Sequence, residues 1–163
     1  MIDLTGVINN IFNHIVNLCT FGWKNRRKSD IERFEKMRSE INLGSDHALL
    51  LNDHDFSNSF DNDYLIELNY ISSDWKRSDY KIHCWRVNRK KNKFIKSLDA
   101  FIGLFEKYSG MDCHGMISVG VNENDKRDKK DKRKLVSDLN KLSSKAYNDL
   151  EKYHKKSISI FDL

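Results

Sequence analysis

The chain has 163 residues, 39% hydrophobic and 33% charged, with a formal net charge of +5. That length suits one domain and can bury about two-thirds of its unfolded surface, and three Trp, six Tyr and nine Phe supply core side chains, so wholesale disorder is excluded. Three widely spaced cysteines (Cys19, Cys84, Cys113) exclude a secreted disulfide framework, and the opening residues lack a basic region and a small-residue cleavage site; a cytoplasmic location is expected, with the periphery of the inner membrane as the second location.

Apolar residues at Leu4, Val7, Ile8, Ile11, Phe12, Ile15, Leu18 and Cys19 follow the spacing of an amphipathic helix over Asp3 to Phe21. Its opposite face carries Asn10, Asn13, His14 and Asn17. A break is expected at Gly22, followed by a basic knot of Lys24, Arg26, Arg27 and Lys28. The first unit is therefore read as residues 1–23 and the remainder, 24–163, as a helical bundle domain. Ser29-Asp30-Ile31-Glu32 has the form of a capping box and opens a helix to about Leu43, with Gly44 as its left-handed terminator.

A short helix is expected over Asp46 to Leu51, capped by Ser45 or Asp46. The polar stretch Asn52 to Phe60 holds two Phe that should pack inward. Tyr64, Leu65, Leu68 and Ile71 mark a further helix ending near Trp75. Tyr80 to Val87 partly alternates and reads as a strand, or else as an irregular lead into a helix. Phe94, Leu98, Phe101, Ile102, Phe105 and Tyr108 form the strongest helical stripe, ending at Gly110. Met111 to Asp125 reads as a loop. Leu135, Leu139, Leu142, Ala146, Leu150 and Tyr153 define a last helix over about Asp128 to Lys156, with Ile158 to Phe161 as an extended tail. The fold class is mainly α: a bundle of about five helices with little or no β structure.

The stretch His54-Asp55-Phe56-Ser57-Asn58-Ser59-Phe60, then Trp75, a helix like Phe94 to Phe105, a variable loop and a final helix with Leu139-Asn140 and Ala146-Tyr147 together resemble a group of uncharacterised small bacterial helical proteins with an N-terminal hydrophobic segment. The resemblance covers most of the chain and implies a helical fold; it carries no implication about activity.

The N-terminal helix is the leading candidate site. Its length approaches a membrane span, but the amide stripe argues against one. The polar face lacks the cations of an interfacial helix. Leu4, Val7, Ile8, Ile11, Phe12 and Ile15 are therefore read as a surface for a protein partner or a second copy of the chain, with ordinary packing on the chain's own bundle as the simpler reading and a membrane surface as the weaker one. The function expected is a non-catalytic interaction or accessory protein of a larger bacterial assembly.

The alternative is a helical RNA-binding or RNA-cleaving protein. Arg127, Lys130 and Lys134 would contact phosphate, although interleaved Asp128 and Asp131 dilute the charge. Arg86, Arg89, Lys90, Lys91 and Lys93 form a second basic patch beside Trp85, which is read as core. Asn148 and His154 resemble the arginine-to-histidine motif of the HEPN ribonucleases, with asparagine in the arginine's place. His154 would be the general acid or base, and its simpler reading is a solvated helix C-terminus. His83-Cys84 and Cys113-His114 are too tightly spaced for a zinc site, so neither metal nor cofactor is expected.

Overall fold

The computed structural model describes residues 4–111, 116–119 and 129–163, with side chains from Gly22 onward except at Met111 and Lys129. Five α-helices dominate these residues: α1 (Leu4–Glu40), α2 (Asp46–Asp53), α3 (Asn62–Asp74), α4 (Trp85–Tyr108) and α5 (Lys129–Phe161). A single 3₁₀ turn spans Ser78–Tyr80. The mainly α class is as the sequence reading has it. Three short strands, β1 (Phe60–Asp61), β2 (Ser109–Met111) and β3 (Met116–Val119), form one antiparallel sheet in the order β1-β3-β2. Phe60 pairs with Ile117, and Met111 pairs with the same residue from the other side. Strand β3 falls in the region expected to be a loop, and β2 reaches its first residue, Met111.

The first correction concerns Gly22. The helix does not break there: α1 is continuous over 37 residues, about 55 Å at the usual rise. A glycine inside a helix costs only about 1 kcal/mol relative to alanine, and the residues on either side outvote it. Ser29 thus lies inside α1 and caps nothing. The helix stops at Glu40 through an Asx turn, in which the Gly44 N–H donates to Asn42 Oδ1 at 2.9 Å. Gly44 does not adopt the left-handed conformation expected of it. Ser45 then caps α2, its side chain accepting from the Ala48 N–H.

Tyr80 to Val87 is a lead into α4 rather than a strand. The tail also differs from expectation. Helix α5 continues to Phe161, which is buried, and Asp162 closes it in the left-handed region at φ 58°.

The core is aromatic and nearly continuous. Phe56, Phe60, Phe101 and Phe105 pack mutually near the sheet, so the two Phe of the polar stretch do turn inward. Phe34 of α1 meets Tyr153, His154 and Phe161 of α5, and Trp75 bridges Phe94 and Tyr153. Polar clasps fix the joints. Glu40 accepts from Trp75 Nε1 at 2.7 Å and from the Tyr80 hydroxyl at 2.5 Å. Asn140 of α5 holds the 55–57 turn by accepting from the Phe56 N–H and donating to Asp55. Lys91, read as part of a basic patch, is buried instead. Its ammonium donates to the carbonyls of Trp75 and Tyr80, at 2.8 and 2.7 Å, and burial lowers its pKa to about 8.

Candidate functional site

Helices α1 and α5 run antiparallel. Met37 meets Tyr153, and ten residues earlier Arg27 reaches the far end of α5, donating to the Phe161 carbonyl at 3.2 Å and pairing with Asp162 at 2.7 Å. Helix α4 starts beside the same point. Here α1, the start of α4 and the end of α5 enclose a cleft of about 320 Å³, lined by Trp23, Arg26, Arg27, Asp30, His83, Cys84, Trp85, Ile160 and Phe161.

Asp30 organises the cleft. Its carboxylate is buried, and it accepts from the backbone N–H groups of His83 and Cys84, each at 2.7 Å. Cys84 is the N-cap of α4 and makes no capping hydrogen bond through its own side chain. An acid from α1 thus serves the chain leading into α4. His83 Nδ1 stands 3.0 Å from Asp30 Oδ1 and 3.2 Å from Arg33 Nη1. With the proton on Nδ1 the ring donates to Asp30, and with the proton on Nε2 it accepts from Arg33; one tautomer cannot do both.

Two tryptophans border the cleft and face solvent. Trp23 is 62% exposed and Trp85 64% exposed, each with an arginine over its ring: Arg27 at 5.9 Å and Arg86 at 5.7 Å. The reading of Trp85 as core is therefore overturned. The helical phase carried the signal. Trp85 lies two positions from Val87, about 200° around the helix from a stripe that Phe94, Leu98 and Phe101 continue, but a strand reading of this stretch hid it. Trp23 escaped notice because nothing in its local pattern marks it apart from the basic run that follows.

The remaining candidate residues are scattered. Asn148 is exposed on α5 and lines a shallow trough with Lys93, Lys145 and Lys152. His154 is 3% exposed and packs on Phe34 and Tyr153. Six helical positions turn the two side chains about 240° apart, so they share no site. His154 is not a solvated helix terminus either. Burial, and then the charge of Arg38, lower its pKa to about 4, and a hydrogen bond to the Ile41 backbone offsets this in part. Its Nε2 has no hydrogen-bond partner among the described residues. Lys130 and Lys134 lie on the first turns of α5, and Arg127 lies outside the described residues. Leu4, Val7, Ile8, Ile11, Phe12 and Ile15 belong to α1, with side chains outside the described set.

Among the described residues, no group of three or more His, Cys, Asp or Glu is placed to hold a metal ion, and no helix is long and apolar enough to cross a membrane. Comparison with protein-family models, with curated proteins and with solved structures returns no match.

Proposed function

We propose that the chain is a non-catalytic interaction module of a larger bacterial assembly, and that it binds a partner protein or a second copy of itself through the first turns of α1. One observation carries this reading. Helix α1 is uninterrupted from Leu4 to Glu40, and its hydrogen bond to the end of α5 is made at Arg27, level with Phe161, where α5 stops. The preceding helix, Leu4 to Arg26, adds about 34 Å at 1.5 Å per residue. The sequence of that arm repeats apolar residues along one face, and such a face is stable in water only when another surface covers it. A cytoplasmic setting accompanies this reading, argued from the odd, widely spaced cysteines.

His154, on which the RNA-cleaving alternative relies, is buried and turned away from exposed Asn148.

The test compares the full chain with an Ile8→Asp/Ile11→Asp variant by sedimentation and by affinity capture from the native host. The expected result is an unchanged fold with loss of the higher-mass species or of the captured partner. An identical mass together with an identical partner set would overturn the reading.

A further inference from the structure

The cleft between α1 and α4 has a chemistry of its own, distinct from that of the apolar face at the first turns of α1. Large aromatic side chains seldom stand more than half exposed, and here two Trp do so on the border of one cleft. The cations around them are also unusual. Helix α4 carries no acidic residue in its first turn, and Arg86, Arg89 and Lys90 crowd its N-terminal end. The partial positive charge at a helix N-terminus disfavours cations there. Buried Asp30 offsets part of that charge, but it is already engaged with His83 and Cys84. Arg26, Arg86 and Arg89 are exposed and have no ion-pair partner among the described residues. Cations retained where the helix repels them, and left unpaired, suit an external anion. Aromatic faces set among unpaired arginines suit an anion that also carries flat rings.

We propose that this cleft binds a single-stranded nucleic acid, with bases stacked on Trp23 and Trp85 and the phosphates on Arg26, Arg86 and Arg89. Every base offers a face to stack, so recognition is sequence-tolerant. Base stacking and phosphate contacts are common to RNA and DNA, so single strands of both are expected to bind. A duplex hides its base faces and binds more weakly.

The experiment uses the full chain and fluorescein-labelled single strands of about twelve nucleotides, one RNA and one DNA, read by fluorescence anisotropy across a salt series. Trp23→Ala and Trp85→Ala should each weaken binding about ten-fold or more. Arg86→Gln/Arg89→Gln should flatten the plot of log affinity against log salt by about 1.4, near 0.7 per lost phosphate contact. All of these side chains are exposed, so circular dichroism should show native folding in each variant. Three results would overturn the proposal: no binding at low salt, Trp variants that bind like the parent, or a duplex that binds as tightly as the single strand. Trp variants that change the oligomeric mass but not oligonucleotide affinity would assign the cleft to protein contact instead.

Discussion

Replacing Asp30 should cost the protein a large share of its stability. The carboxylate side chain is only 4% exposed and spans two helices that are far apart in sequence. Asp30→Ala removes the acceptor for the His83 and Cys84 N–H groups, which lie in a partly buried place. An orphaned buried donor costs about 1–3 kcal/mol, and Asp30 leaves two of them together with the His83 ring contact. The expected loss is about 3–5 kcal/mol, against about 5–15 kcal/mol for a whole domain. Asp30→Asn keeps the shape and one acceptor oxygen, so about half that loss is expected. Urea unfolding followed by far-ultraviolet circular dichroism measures both. Glu32→Ala is the control: its side chain is exposed and, among the described residues, paired only with Lys28 at 4.0 Å, so its effect should stay within about 0.5 kcal/mol. A loss below about 1 kcal/mol for Asp30→Ala would refute the reasoning, as would a Glu32→Ala loss equal to it, which would restore a capping box at Ser29.

His154 should make the fold sensitive to acid. Its folded pKa of about 4 lies below the ordinary value of 6.5, so the unfolded chain takes up the proton first. The stability contributed by the neutral ring is whole above about pH 6.5 and declines as pH falls towards 4, by about 3 kcal/mol in all. His154→Leu should lose this component, which appears as the difference between the two stability–pH curves; parallel curves would contradict it. Glu40→Ala should cost about 2 kcal/mol by freeing Trp75 Nε1 and the Tyr80 hydroxyl, with a change in tryptophan emission as Trp75 loses its partner. Thermal melts that match the parent would show that this clasp is dispensable.

Much of the helical layout is a local property and could be read along the chain. The Phe94 to Phe105 stripe and the Leu135 to Tyr153 stripe are buried as their period requires, apart from Leu142, which is partly buried. Ser45 caps α2 because its hydroxyl can reach the Ala48 N–H from three residues away. Phe56 and Phe60 turn inward because no polar neighbour can offset leaving two large rings in water.

The cleft depended on the third dimension. No local pattern marks the partners of Asp30, which are His83 and Cys84, supplied only when α4 docks against α1. Trp75 and Trp85 are the same residue type ten positions apart, one fully buried and the other mostly exposed, because a helix shows its neighbours one phase only. Lys91 and His154 look like surface charges in sequence, and each is buried because the carbonyls of Trp75 and Tyr80, or the rings of Phe34 and Tyr153, arrive from other elements. Sequence alone determined a helical chain with an amphipathic N-terminal arm, since periodicity and caps act within a few residues. Only the tertiary structure decided that α1 runs through Gly22 and that Trp23, Arg26, Trp85 and Arg86 gather at one end of the bundle, because burial and proximity depend on which helices pack together.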